Sequence, residues 1–270
     1  MAMSVLVDLT KCTGCKACQT ACKQWNDLPA VMPEFDNNLT FPSKMDGYTY
    51  TVVQHRVIKQ DKGEVARFAK QQCLHCLEPA CVSACFAKAF QKSPEGPVVY
   101  YPHLCVGCRY CMIACPFDVP KYEWDQQFPL VSKCQFCFDP KGTYDRVGHG
   151  QEPACVGTCP NGTMVFGTRD DMLKEAWKRI NDNPKYLKHV YGEKEAGGTS
   201  WLYISDVPFE QMGFRANVTE RPLPEYSHEF LKYTPAVAIT WGGLLTALYV
   251  YTKRRRDISK DQDTNKNIKA

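Results

Sequence analysis

Sixteen of the 270 residues are cysteine, and they fall into four tetrads. The first reads CxxCxxCxxxC through Cys12, Cys15, Cys18 and Cys22, and the third repeats that spacing at Cys105, Cys108, Cys111 and Cys115. The second stretches one gap, through Cys73, Cys76, Cys81 and Cys85, and the fourth stretches it much further, through Cys134, Cys137, Cys155 and Cys159. Close CxxC turns let several thiolates converge on one face of an iron-sulfur cubane, while a thiolate three residues further on completes a neighbouring cluster. Four tetrads therefore predict four 4Fe-4S clusters that together use all sixteen thiols.

An even cysteine count also suits a disulfide scaffold, but such scaffolds are short chains that cannot build a core. This chain is long, with a hydrophobic share of 44%. Cysteines two residues apart also suit shared metal ligation better than bridges of normal geometry. Structural zinc uses paired CxxC units too, which makes a zinc-binding adaptor the main rival. Two of the tetrads, however, carry further cysteines at the offsets of cubane ligation.

The tetrads alternate between two kinds. The first and third share Gly14/Gly107, a basic Lys16/Arg109 and Ala21/Ala114, whereas the second and fourth share a Pro-Ala-Cys-Val run at Pro79 and Pro153. This order reads as a duplicated two-cluster unit. The glycines suit tight turns that aim backbone N–H groups at sulfur, and Lys16 and Arg109 are candidate charges beside clusters.

Short apolar runs flank the tetrads: Val5 to Leu9, Val98 to Tyr101 and Met164 to Phe166 read as small strands of β-α-β ferredoxin units. Between the first two tetrads lie a loop-like stretch from Pro33 to Met45 and an extended one from Tyr48 to Ile58. After Pro160, Asp170 to Ile180 reads as a surface helix with Leu173, Ala176, Trp177 and Ile180 on its apolar face. A strand is expected at Trp201 to Ser205, and a Pro-rich linker at Arg221 to Glu225.

Tyr233 to Thr252 are 20 residues without a formal charge, followed by Lys253, Arg254, Arg255 and Arg256. A helix of that length spans about 30 Å, the thickness of a bilayer core, and the cations mark its cytoplasmic end. Gly242 and Gly243 form a notch for a second helix. The segment 253–270 carries seven basic and three acidic residues, a surplus equal to the net charge of +4 of the whole chain. The body is thus electrically balanced, which argues against nucleic-acid binding. The N-terminus reaches Cys12 without a signal pattern or twin arginine, so export is expected to depend on a partner's signal.

The tetrad series resembles the four-cluster electron-transfer subunits of molybdenum/tungsten bis-pterin oxidoreductases and of membrane hydrogenases. Cys15 to Asp27, with Trp25, is similar to the first motif of respiratory formate dehydrogenase β subunits. Phe166-Gly-Thr-Arg169 and the run from Tyr191 to Thr199 are similar both to those and to the iron-sulfur subunit of nickel-iron hydrogenases. The resemblance implies that the first and fourth motifs share one ferredoxin unit and the second and third the other. It implies the ligand sets Cys12/Cys15/Cys18/Cys159, Cys22/Cys134/Cys137/Cys155, Cys73/Cys76/Cys81/Cys115 and Cys85/Cys105/Cys108/Cys111. It further implies that the first/fourth unit faces a catalytic subunit and the second/third unit a membrane haem or quinone subunit. One departure is Phe86, where a proline usually follows the cysteine.

The expected fold is α+β, with two bacterial-type 2×(4Fe-4S) ferredoxin units, a partner-binding extension and a single C-terminal transmembrane helix. Its segments are 1–72 with 116–167, 73–115, the extension and linker at 168–230, the membrane helix at 231–252 and a basic tail at 253–270. No dinucleotide fingerprint, P-loop or haem-attachment motif is present, and no catalytic residue is assigned. His75 and His103 lie near cysteines, with packing roles expected. The expected function is electron relay between a molybdopterin catalytic subunit, first of all that of a formate dehydrogenase, and a membrane cytochrome b or quinone-reactive subunit. The alternatives are the iron-sulfur subunit of a nickel-iron hydrogenase and a self-standing membrane ferredoxin. The expected location is the bacterial inner membrane, with a single pass, the cluster domain periplasmic and the tail cytoplasmic.

Overall fold

In the computed structural model, residues 2–31, 40–60, 63–139 and 144–268 are described. Part of the loop-like stretch from Pro33 to Met45 and the end of the basic tail lie outside them. The elements run β1 (Met3–Asp8), α1 (Ala17–Trp25), β2 (Thr51–Gln60), β3 (Gly63–Gln72), α2 (Ala80–Ser83), β4 (Phe90–Lys92), β5 (Val98–Tyr100) and α3 (Tyr110–Ala114). They continue with β6 (Lys121–Tyr122), β7 (Val131–Ser132), α4 (Ala154–Gly157), β8 (Met164–Thr168), α5 (Arg169–Asp182), β9 (Trp201–Ile204), α6 (Leu223–Leu231) and α7 (Thr234–Ile268). The fold is thus mixed helix and sheet.

An unbroken apolar run such as Val5-Leu6-Val7 suits a strand covered on both faces. β1 is that strand, the centre of a three-stranded sheet in the order β8-β1-β9, antiparallel to β8 and parallel to β9. Alternation divides its side chains. Val5, Val7, Trp201 and Tyr203 face a core that contains Cys18 and Cys155, whereas Leu6, Leu202 and Ile204 face α5. α5 starts at Thr168, whose hydroxyl caps the Asp171 N–H, with Asp170 and Asp171 in the first turn. It buries Met172, Ala176 and Ile180, while Leu173 and Trp177 pack half-buried beside them.

The extended segment before the second tetrad forms the long antiparallel hairpin β2/β3, paired from Thr51↔Gln72 to Gln60↔Gly63. Its second strand carries no clean alternation and was invisible to the sequence pattern. A second core gathers Phe90, Val98, Tyr100, Tyr122 and Val131 around Cys81 and Cys111. Short cysteine-bearing helices pack in pairs, α1 on α4 and α2 on α3.

Two compact units result, Met1–Pro224 and Glu225–Ala270. Of the stretch 168–230 set apart on sequence grounds, residues 168–224 fall within the first unit and include β9, all four of whose residues are buried. Arg169 donates to the carbonyls of Thr199 (3.1 Å) and Glu193 (2.9 Å), joining the Phe166–Arg169 motif to the Tyr191–Thr199 motif. The expected linker at Arg221 to Glu225 is in part the first turn of α6. Among the described residues one helical segment, Leu223–Ser259, which begins at the end of the first unit and runs through the second, is long and apolar enough to cross a membrane, with none of its apolar window buried.

Candidate iron-sulfur sites

A chain that wraps a cluster must turn sharply at each CxxC, and the left-handed backbone region supplies the turn. The third residue of the first CxxC turn in each tetrad adopts it: Gly14 (φ 72°), His75 (51°), Gly107 (72°) and Phe136 (61°). Lys16 (59°) and Arg109 (65°) do the same just before α1 and α3, so the repeat is conformational as well as sequential. A non-glycine residue there costs about 1–2 kcal/mol. His75 and Phe136 are fully buried and stack on each other with centroids 5.0 Å apart, which offsets that cost.

These turns aim N–H groups at sulfur. Cys134 Sγ accepts from the Phe136 N–H (3.3 Å), Cys105 Sγ from that of Gly107 (3.5 Å), Cys85 Sγ from that of Ala89 (3.2 Å) and Cys137 Sγ from that of Ala154 (3.4 Å). The Asn26 side-chain amide donates to Cys22 Sγ at 3.5 Å and to the Cys22 carbonyl at 2.7 Å. Such donors stabilise thiolate and the negative charge of a ligated cluster.

The fold gathers thiols that are remote in sequence. Cys12, Cys15, Cys18 and Cys159 line one cavity with Val7, Leu9, Val53 and Lys70. Cys22 lies within electrostatic reach of Cys134, Cys155 and Cys137; Cys76 of Cys73, Cys115 and Cys81; and Cys111 of Cys105, Cys108 and Cys85. Further couplings link one gathering to the next: Cys18 with Cys155, Cys134 with Cys73, and Cys81 with Cys111. The four gatherings thus follow one another in a series. Only Cys15 in the first and Cys108 in the last are exposed.

Burial, with the neighbouring thiols adding to it, pushes Cys18, Cys81, Cys134 and Cys137 up to about 12 and Cys111 up to about 11. Thiols this reluctant to ionise are poor nucleophiles, and a metal is what draws them into the thiolate form. The donor set is all sulfur, braced by N–H groups and closed off by apolar walls, and it fits 4Fe-4S ligation.

Three lysines complete the surroundings and escaped the sequence pattern. Lys70 and Lys133 are each only 3% exposed. Lys133 Nζ donates to the carbonyls of Val98 and Cys134, and Lys92 Nζ to those of His75 (3.3 Å) and Cys76 (2.8 Å). Lys70 Nζ donates to Gln72 Oε1 (2.9 Å) and lies 4.5 Å from the Trp201 ring centroid. The cations singled out from sequence are less intimate. Arg109 is exposed and sits over Trp124 at 4.6 Å, and Lys16 lies 5.9 Å from the Phe41 ring. His75 accepts from the Val98 N–H at 2.9 Å, while His103 is exposed beside Tyr101.

Residues 65–169 match the family model described as a 4Fe-4S dicluster domain. The chain is 36% identical over 238 residues to the Hydrogenase-2 operon protein HybA of Escherichia coli O157:H7, covering 78% of this chain and 72% of that one. It is 32% identical over 260 residues to the formate dehydrogenase iron-sulfur subunit of Haemophilus influenzae, covering 90% and 77%. The chain belongs to the family of 4Fe-4S electron-transfer subunits typified by these relatives. A protein of Nitratidesulfovibrio vulgaris is 44% identical over 263 residues, 96% of this chain and 69% of that one. As an iron-sulfur subunit the chain carries electrons, which accounts for sixteen cysteines without a substrate pocket assigned to any of them. Within the first-motif stretch that carried the resemblance, Asn26 donates to Cys22, and Arg146 lies 5.5 Å from the Trp25 ring.

Proposed function

We propose that the chain is a four-cluster wire, each gathering of thiols holding one cluster in the sets Cys12/Cys15/Cys18/Cys159, Cys22/Cys134/Cys137/Cys155, Cys73/Cys76/Cys81/Cys115 and Cys85/Cys105/Cys108/Cys111. The observation that carries this reading is the serial order of the gatherings, with exposed cysteines only at the two ends. When bound, 4Fe-4S clusters supply one-electron carriers. The protein fixes their order, buries most thiols of the two middle sets and leaves an exposed cysteine in each terminal set for a partner.

Two ferredoxin units account for the arrangement: α1 pairs with α4 around one core and α2 with α3 around the other. Tyr122 and Val131 join the second core, so the second/third unit extends beyond residue 115.

The Cys15 end is assigned to a catalytic molybdopterin subunit, as the family resemblance implies, and the similarity to a formate dehydrogenase iron-sulfur subunit supports such a partner. The Cys108 end is assigned to an integral membrane cytochrome b or quinone-reactive subunit. Around Cys108 stand Val106, Tyr110, Ile113 and Phe86, from 57% to 82% exposed, a collar suited to an apolar partner. α7 anchors the chain in the bacterial inner membrane, with Lys253 to Arg256 on the cytoplasmic side and the cluster body periplasmic. The similarity to HybA favours a second reading, in which the catalytic partner is a nickel-iron hydrogenase. Anaerobic purification from native membranes with metal analysis separates the two: molybdenum or tungsten beside iron supports the first, nickel the second. Iron alone, with no large partner in fixed ratio, points to a free-standing ferredoxin and overturns both.

A further inference from the structure

Lys70 is an ammonium in the interior without an obvious reason to be there. It is 3% exposed, and among the described residues no carboxylate lies within salt-bridge distance of it. Lys92 and Lys133 pin backbone carbonyls, but the one hydrogen bond described for Lys70 runs to the side chain of Gln72. Gln72 is itself held by donating to the Tyr203 hydroxyl at 2.5 Å, and the Trp201 ring closes over the ammonium. The structure thus holds a charge in one place with neutral groups.

A buried cation is retained when an anion compensates it, and the neighbours able to do so are thiolates. Lys70 lines the cavity of Cys12, Cys18 and Cys159, and it also lies within electrostatic reach of Cys155, Cys134 and Cys22. The side chain therefore stands between the first two thiol sets of the series.

We propose that Lys70 is a counter-cation shared by the first two clusters and that it raises the reduction potential of both. The proposal rests on the cluster assignment given above. Reducing either cluster adds one negative charge, delivered as an electron from the preceding carrier, and no proton need move. A fixed positive charge beside the first site and within electrostatic reach of the second favours each reduced form and softens the repulsion between two reduced neighbours.

Redox titration of the intact complex, following each cluster by EPR with iron content measured in parallel, tests this in wild type, Lys70→Gln and Lys70→Arg. Lys70→Gln is expected to keep its iron and to lower the potentials of the first two clusters by a tenfold or larger change in the one-electron equilibrium, about 59 mV. The other two clusters should stay put, and Lys70→Arg should restore wild-type values. Loss of the first two clusters in Lys70→Gln but not in Lys70→Arg also supports the charge role. Unchanged potentials with full iron, an equal shift in all four clusters, or equal iron loss in both variants overturns it. Fewer than four clusters in the wild type overturns the assignment instead.

Discussion

At the scale of single residues, the cysteines were legible as ligands because they fall in close-spaced motifs, although each proposed set also draws a thiol from a distant motif. The buried cations were not, because nothing in the run Ala69-Lys70-Gln71 shows that Trp201 will cover it. The proposed sharing of Cys22 with Cys134, Cys137 and Cys155 makes a sharp prediction: Cys22→Ser should damage that cluster and spare the one beside Cys12. EPR spectra with iron counts should show a single site altered, whereas loss of the first cluster would refute the set. A second prediction concerns His189, whose ring lies 2.7 Å from Glu195 Oε1. The hydrogen bond to Glu195 raises the His189 pKa. That contribution to stability is therefore complete below about pH 6.5 and fades as pH rises through the folded value. Burial works against Glu195, but His189 and backbone N–H groups hold its pKa below the ordinary range, so its share fades only as pH falls through that lowered value. His189→Gln should flatten the thermal midpoint between about pH 5 and pH 8, measured as a melting series, and a variant curve parallel to wild type would exclude the pair as its source.

At the scale of elements, the apolar runs announced β1, β5 and β8, and a capped amphipathic pattern announced α5. β3 was hidden because its residues face different surroundings along its length, and the pairing of β9 with β1 was hidden because a parallel partner far off in sequence leaves no local signature. The two matched turns respond differently to the same change. Gly14 and Gly107 share φ 72°, but a Cβ at Gly14 would meet the Phe68 ring at 2.4 Å, while at Gly107 nothing lies within 4 Å. Gly107→Ala should therefore cost only the backbone term of about 1–2 kcal/mol and keep full iron. Gly14→Ala should cost more and lose iron at the first site, as cluster counts and melting midpoints will show; equal effects would mean that Phe68 yields freely.

At the scale of the whole molecule, the division after Pro224 separates a cysteine-bearing body from a helical segment able to span a bilayer. Composition made the second unit legible, because an uncharged stretch closed by four cations has few other uses in a folded chain. A chain ended at Pro224 is expected to keep its iron and leave the membrane fraction, which fractionation with iron analysis will check; retention at the membrane would locate the anchor elsewhere. The arrangement of the central sheet also bears on biosynthesis. β1 leaves the ribosome well before its two neighbours in the sheet, β8 and β9, and Cys159 joins Cys12 from that same distant part of the chain. The thiols of the first motif stay open while the intervening chain is made, and the cavity at Cys12 closes only after Met164 has emerged. Metal loading there follows the synthesis of β8, and a ribosome stalled before β8 would display an unsealed first site to oxygen.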